Sequence, residues 1–354
     1  MAEIVLQNIT KKFSHVVALN DVSLCVRSGE FMVLLGPTGA GKTTTLRVIA
    51  GLEKQDEGQI LFDGNDVSTH TPADRDVAFV FQQYSLYPTM SVYDNLAFPL
   101  RSPLRKMAEA DIKARVQQVA ELLRITHLLE RKTARLSGGE MQRVSIGRAI
   151  VRRPRAFLMD EPLSNLDAKL REALRIELKH IQKTQSSTTL FVTHDQIEAL
   201  TMADRIGVLF EGKLIQVGTP TDIYDRPTTT FVAQLVGTPR INLHKASRDN
   251  GTLHIMNSEV SLPMPPDTTA HLPPTFTLGI RPEDVKITPT GALAGQVVLI
   301  EPLGVETVVH IRAGHQTLLS VVPGMTTLKL HEEVRFDVER ERLHFFNSDG
   351  ARIL

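Results

Sequence analysis

A lysine and a threonine directly after a glycine-rich turn are the most informative chemistry in the chain. Gly36-Pro37-Thr38-Gly39-Ala40-Gly41-Lys42-Thr43-Thr44 follows the apolar run Phe31 to Leu35 and precedes a helical pattern, Leu46, Ile49 and Ala50, that stops at Gly51. The spacing G-x-x-x-x-G-K-[ST] between a strand and a helix is that of a phosphate-binding loop. Glycines let the backbone bend around a polyphosphate and turn several N–H groups inward. The helix starting at Lys42 adds the positive end of its dipole. Lys42 supplies a mobile cation for the β- and γ-phosphates, and the Thr43 hydroxyl can ligate Mg²⁺. A nucleoside triphosphate is the expected ligand.

Further chemistry stands at the ends of other apolar runs. Phe157-Leu158-Met159-Asp160-Glu161 reads as a buried strand closed by two carboxylates. Beside a phosphate loop, Asp160 is placed to hold Mg²⁺, often through water, and Glu161 to polarise an attacking water. Gln82 and His194 also close apolar strands, and each alone reads as an ordinary satisfied polar residue. Together, Gly36, Gln82, Asp160 and His194 bring four strands to one carboxyl edge, where ligands bind in open α/β sheets. Leu136-Ser137-Gly138-Gly139-Glu140 has two readings. Paired glycines at a helix start permit a phosphate to approach, whereas S-x-x-E is a capping box that satisfies the helix by itself. Taken alone, the cap is the better reading.

The elements around these residues alternate. Strands are expected at Ile4 to Phe13, Val22 to Val26, Phe31 to Leu35, Gln59 to Phe62, Val77 to Phe81, Ala156 to Met159 and Thr189 to Val192. A hairpin is expected around Glu211-Gly212. Between Tyr87 and Arg153 the pattern turns helical: Ile112, Val116, Val119 and Leu123 share one face. Another helix follows Ser137-Gly138-Gly139, and a third runs from Asp167 to about Lys183. This predicts a mostly parallel sheet with helices on both faces and a helical insertion at about 88–155. Beyond Gly237 the texture changes again. Ten of the 19 prolines fall in 237–354, and short apolar runs recur there without helical period. A second domain is expected, a small all-β barrel or sandwich, the barrel being of OB type. By itself it reads equally as a nucleic-acid module, a ligand-binding module or a dimerisation element.

Composition narrows the class. The 354 residues carry 40 basic and 40 acidic side chains, net +0, so no global field attracts nucleic acid or anionic lipid. The single cysteine, Cys25, excludes an internal disulfide and reads as an inert strand residue. No apolar stretch approaches the ~18–20 residues that span a bilayer. The start Met1-Ala2-Glu3 has no secretory pattern. The expectation is a cytosolic chain whose membrane role comes through a partner.

With these residues in order, the chain resembles the ATP-binding subunit of an ABC transporter. The series Phe13, GPTGAGKTT, Gln82, LSGGE followed by Met141-Gln142-Arg143, FLMDE, Ser164-Asn165-Leu166-Asp167 and His194 matches that family over residues 3 to about 236. Gly279-Ile280-Arg281-Pro282-Glu283, Glu301-Pro302-Leu303-Gly304-Val305-Glu306-Thr307 and Phe81 to Pro88 resemble the maltose and glycerol-phosphate importer ATPases. The implied fold is a P-loop α/β domain of ABC type at 1–236, a mixed sheet core plus helical subdomain, then an OB-like β regulatory domain at 237–354.

The resemblance also implies function. Two copies sandwich two ATP molecules, so that Ser137, Gly138, Gly139 and Glu140 of one copy meet the P-loop of the other, with Arg131 reaching the same nucleotide. Phe13 stacks on adenine. The loop residues Gly36, Pro37, Thr38, Gly39, Ala40, Gly41, Lys42, Thr43 and Thr44 bind ATP. Thr43, Gln82 and Asp160 surround Mg²⁺. Glu161 is the general base, His194 holds the γ-phosphate, and Asp167 lies between subunits, where it equally reads as a helix cap. The partners implied are a second copy, two transmembrane permease subunits contacting the loop after Gln82, and a secreted solute-binding protein, with no nucleic acid. The chain is then peripheral at the cytoplasmic face of the inner membrane and powers uptake of a sugar, polyol or sugar phosphate. The rival reading is a non-transport ABC ATPase acting on nucleic acid or ribosomes. Two departures stand out: Glu140 where the family commonly has Gln, and Phe13 where Tyr or Trp is more usual.

Overall fold

Ile4–Phe13 (β1) and Val16–Val26 (β2) form a long antiparallel pair, Ile4 facing Val26 and Phe13 facing Val16. The second strand is thus longer than its apolar run Val22 to Val26, because pairing resumes at Leu19, Val17 and Val16 beyond an irregularity at polar Asn20 and Asp21. Phe31–Leu35 (β3) is buried at every position and enters a different sheet. Lys42–Ala50 (α1) follows, ended by left-handed Gly51. Glu57–Phe62 (β4) and Asn65–Asp66 (β5) complete the first sheet, ordered β2-β1-β4-β5. This computed structural model describes residues 2–102, 107–265 and 272–353.

The central sheet is assembled from strands distant in sequence. After Pro72–Arg75 (α2) comes Val77–Val80 (β6). Val92–Ala97 (α3), Glu109–Leu122 (α4) and Gly138–Ile150 (α5) form the helical insertion. The expected face of Ile112, Val116, Val119 and Leu123 is buried, which burial of an apolar helical stripe requires; α3 was not anticipated. Then come Ala156–Asp160 (β7), Ala168–Gln185 (α6), Thr189–Thr193 (β8), Gln196–Met202 (α7), Arg205–Phe210 (β9) and Lys213–Gly218 (β10). The order is β10-β9-β3-β8-β7-β6, with only β10 antiparallel to its neighbour. Strands β3, β7 and β8 are buried throughout, as parallel strands covered on both faces must be. Cys25 sits half-buried on β2, where burial pushes its thiol up, which accords with an inert residue.

The chain divides into two units at Pro220/Thr221, earlier than the boundary expected at 236/237. Pro220–Asp225 (α8) and Thr230–Leu235 (α9) precede the β-rich part. Buried Arg281 donates to the carbonyls of Tyr224, Ala233 and Val236, so these helices are fastened to the strands that follow.

Among the described residues, that second unit has two five-stranded antiparallel sheets that share a large hydrophobic core. One contains Asn242–Asp249 (β11), Thr252–Ile255 (β12), Ser261–Pro263 (β13), Thr275–Ile280 (β14) and His344–Phe346 (β20). The other contains Val285–Ile287 (β15), Leu293–Pro302 (β16), Glu306–Ala313 (β17), Gln316–Pro323 (β18) and Glu333–Val338 (β19). The short apolar runs of this part fall on β14 and β16 to β20, apart from Leu343, which directly precedes β20; β11, β12, β13 and β15 were missed. Among the described residues, no helix is long and apolar enough to cross a membrane.

Candidate active site

Four parallel strands deliver the candidate residues to one edge of the central sheet. In spatial order they are β3, β8, β7 and β6. Gly36 follows β3, His194 follows β8, Asp160 closes β7 and Glu161 succeeds it. Gln82 lies two residues past β6, which ends at Val80 rather than Phe81.

The loop between β3 and α1 is pressed against backbone. A Cβ on Gly36 would sit 2.3 Å from the Leu209 carbonyl oxygen, and one on Gly41 would sit 2.5 Å from that of Ala18. Gly41 also has φ 102°, a left-handed conformation that L side chains rarely adopt. Both glycines are therefore imposed by packing as well as by any ligand. Gly41 is the N-cap of α1 and offers no side chain to its first amides, which suits that terminus to an anion. Thr38 and Gly39 are exposed and Ala40 is buried, its carbonyl accepting from Gly212 N–H. Pro37 and Thr44 are half-buried. Lys42 is 5 % exposed and its ammonium donates to the carbonyls of Gly36 (2.9 Å) and Pro37 (3.0 Å). Burial holds its pKa below the usual lysine value, opposed by the nearby charges of Glu161 and Asp160.

Glu161 is where the polar groups meet. Its carboxylate lies 3.8 Å from Lys42 Nζ, accepts from Gln82 Nε2 at 3.2 Å and lies 3.2 Å from His194 Nδ1. Its own backbone has φ 43°, a conformation disfavoured for a non-glycine residue and commonly kept where function demands it. The N–H of Glu161 donates to Val192 O, and its carbonyl accepts from the Ser164 hydroxyl. The strained turn is thereby held from both sides.

Thr43 Oγ1 donates to Asp160 Oδ1 at 2.9 Å. Burial is the main cause that raises the Asp160 pKa, and the Thr43 hydrogen bond opposes it. Two hard oxygen donors so spaced fit Mg²⁺: at a bond length of about 2.0–2.1 Å, neighbouring ligands of an octahedron stand about 2.9 Å apart. Magnesium characteristically takes few protein ligands and fills the rest with phosphate and water. The Gln82 amide is turned to Glu161 rather than to this pair. Among the described residues, no cluster of three His, Cys, Asp or Glu side chains forms a metal cage.

The LSGGE residues stand outside this group. Ser137 caps α5 in a full capping box: the Glu140 carboxylate accepts from Ser137 N–H (2.7 Å) and its hydroxyl (2.8 Å). Gly138 faces the Tyr84 hydroxyl, and a Cβ on Gly139 would lie 2.0 Å from Leu170 Cδ2. Gly139 is thus explained by the packing of α5 on α6, which the sequence reading did not foresee. Asp167 caps α6 through Leu170 N–H, the plainer of its two readings. Exposed Arg131 lowers the Glu140 pKa, although backbone and hydroxyl donation from Ser137 are larger causes. Phe13 is not a core residue: it is 41 % exposed, with Lys11 Nζ 5.0 Å from its ring centroid. The β1–β2 pair brings it beside the strand whose Ala18 carbonyl touches Gly41.

Sequence reasoning missed the supports. Asn165 Nδ2 donates to the Gln82 carbonyl at 3.2 Å. The loop after Gln82 is tied down by fully buried Asn95, which bonds Tyr87 N–H and carbonyl, by Thr133 Oγ1 on the Tyr87 carbonyl and by Arg148 on the Ser85 carbonyl. The partners of Asn165, Thr133 and Arg148 are remote in sequence, and Asn95 reaches Tyr87 eight residues back across an irregular loop that no periodic pattern describes.

Comparison with known proteins gives the family. Residues 19–164 match the model of the ABC transporter family, and 278–346 match the TOBE domain. The trehalose/maltose import ATP-binding protein MalK of Thermococcus litoralis is 45 % identical over 100 % of both chains. The sn-glycerol-3-phosphate import ATP-binding protein UgpC 3 of Agrobacterium fabrum is 44 % identical over 100 % of both. Among solved structures, the dimeric structure of MJ0796, a bacterial ABC transporter cassette, is 30 % identical with TM-score 0.56. It covers 61 % of this chain and 98 % of its own. The same cassette as a post-hydrolysis dimer bound to ADP and Pi matches equally.

Proposed function

The chain belongs to the ATP-binding subunits of ABC-type importers, and from that premise we propose a motor for uptake of a sugar, polyol or sugar phosphate. It works as a pair of copies sandwiching two ATP molecules. It sits on the cytoplasmic face of the inner membrane beneath two permease subunits, which are supplied by a solute-binding protein. Full-length relatives named as import subunits favour this over an ATPase of nucleic acid or ribosomes. The observation that carries the chemistry is the meeting of Lys42, Gln82 and His194 on Glu161, beside the Thr43–Asp160 pair.

In this reading Phe13 stacks on adenine, and the loop from Gly36 to Thr44 receives the phosphates on its inward amides. Lys42 leaves the Gly36 and Pro37 carbonyls for the β- and γ-phosphates, where its buried charge is worth more than in water. Glu161 accepts a proton from the attacking water, and His194 orients that water and holds the terminal phosphate. Thr43 and Asp160, with Gln82 after a rotation of its amide, would hold Mg²⁺, which supplies neutralisation of charge on the phosphates. Ser137, Gly138, Gly139 and Glu140 complete the site from the other copy. The loop after Gln82, anchored through Asn95 and Arg148, carries closure to the permease.

Glu161→Gln is the test. It should bind ATP normally, associate into a stable dimer in ATP and lose steady-state turnover by about 10²–10⁴-fold, the usual contribution of a general base. Unchanged turnover would remove Glu161 from its role. Full turnover by a chain that stays monomeric in ATP would remove the shared site.

A further inference from the structure

Under the turn that carries His194 lies a carboxylate with no part in the chemistry above. Glu198, in the first turn of α7, is 2 % exposed and accepts from Thr193 Oγ1 at 2.6 Å. With its hydrogen committed there, the Thr193 oxygen acts as an acceptor and takes the Asp195 N–H at 2.9 Å. These two bonds close the backbone over His194 from either side. Asp195 then caps α7, accepting from the N–H groups of Ile197 and Glu198. Its other carboxylate oxygen lies 3.7 Å from Arg171 Nη1. Arg171 also donates to the carbonyls of Leu163 and Leu166, in the segment after Glu161.

A helix cap alone does not account for Glu198, because Asp195 already caps α7. Burying a carboxylate is costly, and an apolar residue of similar volume is commonly neutral or better for stability. What the carboxylate supplies is direction. It forces the Thr193 hydroxyl to donate inward and accept outward, and so fixes the peptide that aims the imidazole.

We propose that Glu198 is a positioning residue for His194, acting through the Thr193 hydroxyl to set the approach of the imidazole to Glu161. The inference rests on the reading of His194 and Glu161 as site residues. The test measures steady-state ATPase of the full chain for Glu198→Ala, Thr193→Val and Thr193→Ser, each in the native and the His194→Ala background. Glu198→Ala and Thr193→Val should lower kcat by about 10–100-fold, the scale of a small misplacement, with KM for ATP held within about twofold. Thr193→Ser, which keeps the hydroxyl, should retain most activity. Neither damaging change should reduce kcat further once His194 is alanine, because the two act as one unit. Equal losses in both backgrounds, a rise in KM with kcat untouched, or a serine variant no better than valine would overturn the proposal. If Glu198→Ala does not fold, the Thr193 pair decides alone. Normal turnover by His194→Ala overturns the site reading itself. An impaired His194→Ala beside normal Glu198→Ala and Thr193→Val overturns only the positioning role.

Discussion

Replacing Glu140 with Gln separates two electrostatic effects of opposite sign. The carboxylate accepts two hydrogen bonds from Ser137 in the first turn of α5. Gln keeps an acceptor oxygen and loses the charge. The charge–dipole attraction at such a position is about 0.3–1 kcal/mol, and a charge-assisted hydrogen bond exceeds a neutral one by about 1 kcal/mol. Solvent screening trims both, which leaves a net loss of about 1 kcal/mol. In a domain of 150–250 residues that lowers Tm by about 2–4 °C. Donation from the Ser137 backbone, then from its hydroxyl, holds the Glu140 carboxyl below its usual range. A depressed carboxylate stabilises above its unfolded value and loses that contribution as pH falls through its folded value. The Tm gap should therefore be full at neutral pH and vanish in acid. In the proposed dimer the same charge faces the other copy's phosphates. At ~8 Å in water-like surroundings each pair of like unit charges costs about 0.5 kcal/mol. A doubly charged terminal phosphate then costs about 1 kcal/mol, and the two sites together about 2 kcal/mol. Glu140→Gln should tighten ATP-driven association by about 30-fold while lowering Tm. Thermal melts without nucleotide and sedimentation with ATP, both in the Glu161→Gln background, measure the two effects separately. A lower Tm with unchanged or weaker association would refute the placement of Glu140 beside the partner's phosphates. An unchanged Tm would refute the charged cap.

Three further outcomes are expected. Gly139→Ala drives a methyl into Leu170, 2.0 Å away, and should cost about 1–3 kcal/mol in urea unfolding; adding Leu170→Ala should return most of it. Phe13→Ala removes an exposed ring and should weaken adenine-nucleotide binding by about 10–100-fold, from a stacking energy of about 1–3 kcal/mol, with Tm unchanged in a titration and melt of the same sample. Burial raises the Asp284 pKa to about 6, against the attraction of Arg342. A raised carboxyl favours the folded state below its unfolded value and loses that advantage as pH rises through about 6. Asp284→Asn should accordingly stabilise the β-rich unit by about 1–3 kcal/mol at pH 8 and make no difference below about pH 4, read from the urea midpoint across pH.

Much of the site was legible because its signals are local. The glycine loop, the strand before it and the helix after it lie within a few turns of chain, and Asp160-Glu161 ends an apolar run that only a buried strand explains. Polar residues at the ends of Val77 to Phe81 and Thr189 to Val192 pointed to the shared edge. Strands β11 to β13 escaped because two of the inward residues of β11, Asn242 and His244, are polar, and because β12 and β13 are short, so no apolar run announces them. The early division at Pro220/Thr221 escaped for a related reason: Arg281 fastens α8 and α9 from a distance in sequence that no window spans.

The sequence by itself determined the phosphate loop, the strand–helix alternation, the capping box at Ser137 and the β-rich second part. Each of these is set by neighbours in the chain through backbone preference, hydrogen-bond reach and periodic burial. Tertiary structure alone decided that Glu161, on a strained backbone, gathers Lys42, Gln82 and His194. It also decided that Gly139 yields to Leu170 and that Phe13 is left in solvent rather than packed in the core. The first two facts depend on the strand order β3-β8-β7-β6 and on α5 lying against α6, and the last on where the β1–β2 pair leaves its end. Such contacts join segments far apart in the chain, and their energies exist only once the sheet has brought them within a few ångströms.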